Sequence, residues 1–294
     1  MTTQIEDLNK KKEKTELILS NVINLPVIPK IMTEAMRMLD NKLTNATELS
    51  KLISKDQALV TRILTIANSP LYGLQRKVTT IDFALLILGY RELRNIITAL
   101  SIIEAFKNKT DKYLDQKEFL LHSFLVGTAA KKLAEELGFT NSGEAFICGF
   151  LHDVGLSVLH RYMHSSFASI CDLVEKDGVS YKDAELEILG TTHENIGFFL
   201  LEKWNFPVEL AQAVLHHHDP VESTAGFQLT NIVNLADYMT KFLNIGAFKW
   251  DKDIKLCETT IKQFNFNSPE EIDNFINGYK DLFWSQLDFI RFLN

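Results

Sequence analysis

The sequence predicts an all-α protein, and three observations support that fold class. Glycine and proline are scarce, with 13 and 6 among 294 residues. Apolar residues recur at intervals of three and four along most of the chain, which is the period of an amphipathic helix. The pair Asp177-Gly178, a dipeptide typical of hairpin turns, has helical patterns on both sides.

Capping residues and prolines in the sequence also predict several helix boundaries. Asn45 with Glu48, and Ser54 with Gln57, have the spacing of capping boxes and predict two helix starts. Ser69-Pro70 predicts a helix end, because proline cannot donate the next backbone hydrogen bond. Ser268 and Glu271, with Pro269 between them, predict the start of one long C-terminal helix. Its apolar stripe consists of Ile272, Phe275, Ile276, Tyr279, Phe283, Leu287 and Ile290.

Composition narrows the class of protein. The chain is 46% hydrophobic and 23% charged, which is enough apolar material for a packed core. Its net charge of -7 argues against a nucleic-acid partner, although Lys10 to Lys14 form a small basic run. Apolar runs such as 83–89 are too short to cross a membrane, and residues 1–16 lack the apolar core of a signal peptide. The three cysteines have no CxxC spacing and are typical of reduced thiols in the cytoplasm.

The chain divides into zones by polarity and by histidine content. Residues 1–20 form a polar lead, for which we expect a solvated surface helix. Residues 21–108 form a helical block, and the polar stretch 109–117 connects it to a histidine-containing core at 118–220. Residues 221–294 form a C-terminal helical extension.

The eight histidines all lie between positions 122 and 218. His122, His193 and His217 each lie on the apolar side of a predicted helix, and His152-Asp153 closes a very apolar segment. Asp237 lies at the edge of another apolar stripe. Each residue alone is explained more simply as a satisfied core or surface group. Together they favour a metal site, because an ion satisfies several buried imidazoles and carboxylates at once.

Imidazole and carboxylate ligands without thiolate suit a divalent transition metal such as Fe, Mn or Zn. Two such ions about 3.5–4 Å apart could share a carboxylate and activate a water molecule. His160 and His164 are spaced like a second metal-binding pair, but a solvated surface beside Arg161 is the simpler interpretation.

The order His122, His152-Asp153, His193, His217, Asp237 resembles the ligand order of the HD superfamily of metal-dependent phosphohydrolases. Other segments resemble the bacterial HDOD domain, the HD-related output domain, over about residues 21–220. These segments are Leu25 to Pro29, Asp56 to Leu59, Ala67 to Gly73, Ala84 to Gly89, Gly149 to Gly155, Gly190 to Gly197, Trp204 to Pro207 and His217-His218.

This resemblance implies an HD-domain-like helical bundle that serves as an output or scaffold module in bacterial signalling. It also implies that His122, His152, Asp153 and Asp237 form a first metal site, with Asp153 bridging to a second ion at His193 and His217. Two departures argue against catalysis. Leu156 stands where hydrolytic relatives commonly have a lysine, and no Gly-Tyr-Pro follows His217-His218 as it does in enzymes that cleave cyclic di-GMP.

Three functions are therefore compatible with the sequence. The sequence favours a regulatory module that acts through a signalling or regulatory protein. The alternative is a metal-dependent phosphohydrolase on a nucleotide or cyclic nucleotide, with Asp153 in the catalytic centre. A helical nucleic-acid binder has the weakest support, because the chain is acidic overall.

Overall fold

The computed structural model of the chain describes residues 2–22, 29–41, 44–105, 109–139, 142–222 and 224–290. Within these ranges the regular structure is entirely helical, which confirms the predicted fold class. The segment Leu25 to Ile28, which contributed to the family resemblance, lies outside the described residues. The helices are α1 (Thr2–Val22), α2 (Lys30–Asp40), α3 (Ala46–Ile53), α4 (Gln57–Ala67), α5 (Ile81–Ala105), α6 (Gln116–Glu136), α7 (Ser142–Leu151), α8 (Val154–Tyr162), α9 (His164–Asp177), α10 (Tyr181–Leu189), α11 (His193–Lys203), α12 (Val208–Leu215), α13 (Phe227–Leu243), α14 (Glu258–Gln263), α15 (Pro269–Asn277) and α16 (Lys280–Ile290), with short 3-10 turns at Pro70–Tyr72 and Lys249–Asp251.

Two of the three predicted caps are present. The side chain of Asn45 accepts a hydrogen bond from the backbone N–H of Thr47, and that of Ser268 accepts one from Glu271. The prediction for Ser54 is wrong, because Ser54 ends α3. The carboxylate of Asp56 caps α4 instead, since α4 begins at the next residue and its third amide points back at that side chain.

The other boundaries agree with the turn chemistry of the sequence, with one exception. Helix α4 ends at Ala67, just before Ser69-Pro70, and Gly178 ends α9 with a φ of 69° that favours glycine. The single long C-terminal helix is wrong, because the chain breaks at Gly278 and Tyr279 into α15 and α16. The break lets Tyr279 turn inward and donate a hydrogen bond to Glu136 on α6.

The polar lead is not simply solvated. Helix α1 packs against α10, and Thr15 and Leu19 are buried at that contact. The hydroxyl of Thr15 donates to the backbone oxygen of Leu189, and Lys11 donates to that of Glu187. One face of a largely polar helix is thus fixed to the rest of the chain.

Helix α6 lies at the centre of the bundle, packed along α7 and α13. Two glycines allow α6 and α7 to approach closely. A Cβ atom at Gly127 would lie 2.8 Å from the backbone oxygen of Phe146, and one at Gly149 would lie 2.8 Å from that of Val126. This close contact brings His122 on α6 near His152, which directly follows α7. No helix in the described ranges is both long and apolar enough to span a bilayer.

Candidate metal centre

The six residues predicted from the sequence come together inside the bundle. They are supplied by helix interiors and by helix ends, and all six side chains are buried. His122 lies within α6 and Asp237 within α13, whereas the others stand at helix boundaries. His152 and Asp153 join α7 to α8, His193 is the first residue of α11, and His217 follows α12. The structure therefore places them in one cluster, as the sequence pattern required.

Four imidazoles are held in the same way, with Nδ1 on a fixed oxygen and Nε2 directed into the cluster. This is the arrangement typical of metal-binding histidines, because the outer hydrogen bond sets the tautomer and the ring orientation. The Nδ1 contacts are His122 to the Gly246 oxygen at 2.9 Å, His152 to the Gly149 oxygen at 2.7 Å, His217 to the Val214 oxygen at 2.7 Å, and His193 to Glu185 Oε1 at 2.9 Å.

Asp153 lies between two pairs of these histidines. Its Oδ1 is 3.3 Å from His193 Nε2 and 3.7 Å from His217 Nε2. Its Oδ2 is 3.4 Å from His152 Nε2 and 3.8 Å from His122 Nε2. Each oxygen of one carboxylate therefore faces a different imidazole pair, which is the position that a bridging ligand would occupy.

Asp237 adds a carboxylate to the pair formed by His122 and His152. Its Oδ1 lies 3.5 Å from His122 Nε2, and a set of ligand atoms from His152, His217 and Asp237 also lies within 4.8 Å of one another.

Two further residues of the cluster were missed from the sequence, His218 and Asp251. Asp251 Oδ2 is 3.3 Å from His122 Nε2, and Asp251 Oδ1 is 3.6 Å from His218 Nε2. The adjacent pair His217-His218 was a usable signal for His218. Asp251 gave no signal, because it lies in a 3-10 turn outside any helical pattern.

A third residue that the sequence did not reveal, Glu185, binds His193 on the side of the ring that faces away from the cluster. The buried carboxylate of Glu185 on α10 accepts hydrogen bonds from both the Nδ1 and the backbone N–H of His193. It also accepts one from the indole of Trp250 at 2.8 Å. Glu185 therefore orients His193 without pointing into the cluster.

A glycine sets the distance between the helices that carry Asp153 and His193. Helix α8 starts at Val154, and a Cβ atom at Gly155 would overlap the backbone oxygen of His193. The lack of a side chain at this position lets the N-termini of α8 and α11 meet directly.

The chemistry of the cluster fits a metal ion. Both oxygens of Asp153, Asp237 and Asp251 are buried without a hydrogen-bond partner, as is Nε2 of His193 and of His217. Buried polar atoms are almost always hydrogen-bonded, so a group of eight such atoms facing one another indicates a ligand. Imidazole nitrogens and carboxylate oxygens without thiolate suit Mn, Fe or Zn. The cluster could therefore hold a metal.

Burial favours the neutral form of most of these histidines, which is the form that binds a cation. Burial lowers the pKa of His152 to about 3, although the charge of Asp153 opposes this shift. Burial also lowers the pKa values of His122, His217 and His218. Neutral imidazole is the form that coordinates metals, so these rings need not lose a proton at neutral pH.

His193 behaves differently from the other rings. Burial opposes its charge, but the carboxylates of Glu185 and Glu194 outweigh burial and raise the pKa of His193 well above its usual value.

The carboxylates of the cluster differ among themselves. Burial and the charge of Asp153 raise the pKa of Asp237, and burial together with the charge of Asp237 raises that of Asp251. Burial also acts to raise the pKa of Asp153, but the imidazoles of His152, His193 and His217 outweigh it and lower that pKa. Three carboxylates held this close repel one another, and a divalent ion would remove that repulsion.

The second histidine pair is the solvated surface expected from the sequence only at His164, which is exposed. His160 is buried, and Nε2 of both His160 and His164 contacts Asp111 Oδ2, at 2.9 and 2.6 Å. The loop before α6 supplies Asp111, so the pair joins that loop to α8 and α9. The sequence pattern could not show this, because Asp111 lies about fifty residues earlier in the chain.

A cavity of about 390 Å³ leads to one side of the cluster. Cluster residues His193, His218 and Asp251 contribute to its wall, as does the adjacent Glu194. The exposed lysines Lys182 and Lys255, the aromatic rings of Tyr181 and Trp250, and Ser180, Asp253 and Ile254 form the remainder of the lining.

The chain is a helical bundle whose buried histidines and aspartates lie within helices or at their ends. This is the architecture of HD-type domains. Residues 25–220 match the HDOD domain family, and the chain belongs to that family. This confirms the resemblance inferred from the sequence. Asp237 and Asp251 both lie beyond the matched residues.

Solved structures agree with this fold. An HDOD domain protein of unknown function from Geobacter sulfurreducens is 24% identical, with a TM-score of 0.75 over 96% of this chain and 98% of that one. A protein from Shewanella amazonensis, provisionally assigned as a phosphohydrolase, is 25% identical, with a TM-score of 0.71 over 94% of this chain and 98% of that one. A provisionally assigned signal transduction protein from Marinobacter aquaeolei is 16% identical, with a TM-score of 0.68 over 97% of this chain and 66% of that one.

A relative from Treponema pallidum, an uncharacterized protein, is 23% identical over 229 residues. That alignment covers 77% of this chain and 44% of the relative, so this chain spans less than half of that longer protein.

Proposed function

We propose that this chain is a regulatory output module of bacterial signal transduction, which holds one or two divalent metal ions and acts through a signalling or regulatory protein. Membership of the HDOD family supports the signalling role. The observation that carries the metal proposal is the set of eight buried side-chain atoms that face one another without hydrogen-bond partners. Three free cysteines support an expectation that the module acts in the reducing cytoplasm.

The residues divide into two groups around Asp153. His122, His152 and Asp237 would hold one ion with Asp153 Oδ2, and His193 and His217 would hold a second with Asp153 Oδ1. Such an ion would lower the pKa of a bound water and polarise a phosphoryl oxygen. In a regulatory module the same ions would mainly neutralise Asp153 and Asp237. They would also fix six helices relative to one another, namely α6, α7, α8, α11, α12 and α13.

The residue at position 156 supports regulation over hydrolysis. Leu156 stands at the place where hydrolytic relatives commonly have a lysine, and its side chain is fully buried among apolar residues. A cation there would stabilise negative charge that develops on a phosphoryl group. A buried leucine cannot provide this stabilisation.

Metal analysis of the purified protein tests the metal site. We expect at least one equivalent of Mn, Fe or Zn in the wild-type protein, and much less in His217→Ala. His216→Ala is a matched control, because His216 is the neighbouring residue and lies outside the cluster. Less than one equivalent in the wild type, not restored by added Mn or Fe, would contradict the proposal.

A metal-dependent phosphohydrolase is a second candidate, and the cavity favours it. The cavity reaches His193 and His218 and has Lys182 and Lys255 in its wall, so a small anion could approach the cluster. Incubation of the Mn-loaded protein with nucleotides and cyclic nucleotides separates the two candidates. The regulatory proposal expects no hydrolysis that depends on Asp153, whereas turnover that Asp153→Ala abolishes would establish the enzyme.

A further inference from the structure

The segment that follows α13 is fixed directly against the metal centre. We call residues 244–254 the closing segment. The backbone oxygen of Gly246 accepts the Nδ1 hydrogen bond of His122, and the ring of Phe248 stacks on the His122 ring at 5.6 Å. Trp250 donates its indole N–H to Glu185, the carboxylate that orients His193. The closing segment therefore contacts residues from both halves of the cluster.

Stacking also holds this segment in place. The Trp250 ring lies between those of Phe167 and Tyr181, at centroid distances of 4.6 and 4.2 Å. A ring enclosed on both faces by aromatic neighbours has little freedom to move. The residue after Trp250 is consequently held in a defined position.

That residue is Asp251, and it enters the cluster from the side of the cavity. Its side chain is 1% exposed, and its two oxygens face opposite parts of the site, Oδ2 toward His122 and Oδ1 toward His218. It also lines the cavity together with His193 and His218. Asp251 therefore stands between the cluster and the space through which water or a small molecule would reach it.

We propose that Asp251 is a further metal ligand, which the closing segment inserts at the cavity side of the centre in the place of a water molecule. This inference rests on the proposed metal site. Its two oxygens have no hydrogen-bond partner, and a buried carboxylate without one is costly unless it binds a cation. Catalytic metal sites keep a position open for water, whereas structural sites are closed by protein ligands. A centre closed by Asp251 has the coordination of a structural and regulatory site.

Water-proton relaxation of the Mn-loaded protein tests this inference, because Mn²⁺ relaxes the protons of water molecules that it coordinates. The proteins to compare are the wild type, Asp251→Ala, Asp251→Asn, and Asp253→Asn as a control. Asp253 lines the same cavity, but it is exposed to solvent. Metal content and helical circular dichroism are measured on each sample, so that the relaxation is compared per bound ion in folded protein.

We expect Asp251→Ala to gain at least one coordinated water per metal centre over the wild type, and Asp253→Asn to match the wild type. Asp251→Asn should gain no more water than Asp251→Ala, because an amide oxygen is a weaker ligand than a carboxylate. A folded Asp251 variant that loses the metal also supports the inference, since it identifies Asp251 as a ligand. Equal metal content and equal relaxation in all four proteins would overturn it while leaving the metal site intact. If the wild type binds no Mn, the metal site itself is wrong, and the inference is overturned with it.

Discussion

Replacement of Glu185 should both destabilise the fold and weaken metal binding. The Glu185 carboxylate is completely buried and accepts hydrogen bonds from three N–H groups, two on His193 and one on Trp250. Alanine would leave all three buried donors without an acceptor, at about 1–3 kcal/mol for each. Removal of one partner from a buried charged pair costs about 3–5 kcal/mol, and we expect a loss of that size for Glu185→Ala.

The glutamine variant separates the hydrogen bonds from the charge. In Glu185→Gln the side-chain oxygen can still accept from the Trp250 indole and the His193 ring. The NH2 group would replace Oε2, which in the wild type accepts from the backbone N–H of His193, so two donors would face each other. We expect a smaller loss of stability, of about 1.5–3 kcal/mol. Metal affinity should fall about 10–100-fold in Glu185→Ala, because the ring of His193 would lose the acceptor that orients it, and less in Glu185→Gln, which keeps that acceptor.

Urea unfolding without metal and direct metal titration measure these two effects separately. Glu187→Ala is the matched control, since Glu187 lies two residues further along α10 with an exposed side chain. If Glu185→Ala unfolds at the same urea concentration and binds metal as tightly as Glu187→Ala, the assigned role of Glu185 is incorrect.

Three further changes test other contacts. Gly155→Ala should lower stability by about 1–3 kcal/mol in urea unfolding, because the new methyl group would overlap the backbone oxygen of His193; an unchanged midpoint would show that the two helices can separate freely. Desolvation acts to raise the pKa of Asp111, but hydrogen bonds from two histidines and two backbone amides outweigh it and lower that pKa. The ionised carboxylate thus stabilises the fold above its unfolded pKa of about 4, and this contribution is lost as the pH falls through the lower folded pKa. The stability difference between wild type and Asp111→Asn should therefore shrink below about pH 4, and a difference that grows there would contradict the sign. Tyr279→Phe should cost about 1 kcal/mol, because it removes the 2.6 Å hydrogen bond to Glu136 while keeping the ring, and no loss would mean that the C-terminal helices dock by packing alone.

Local sequence patterns predicted the parts of the fold that depend on near neighbours in the chain. The helical class, the cap at Asn45 and the helix end before Pro70 follow from periodicity and turn chemistry. Where two local signals competed, the prediction was less reliable. Ser54 had the spacing of a cap, but Asp56 provides the cap that α4 uses. The C-terminal stripe continued through Gly278, yet contact with α6 turned Tyr279 inward and divided the helix.

By itself the sequence determined the helical class from its periodicity and the family from its motifs. It also determined six residues of the cluster, because each of the six lies on or beside a strongly apolar pattern. Only the tertiary structure could decide that Asp251 and Glu185 belong with them. Asp251 lies in an irregular turn that stacking on other helices holds in place, and Glu185 is a common acid on an ordinary helix. Their roles depend on which groups lie next to them in the folded bundle. The spacing of residues along the chain does not show which distant residues become neighbours.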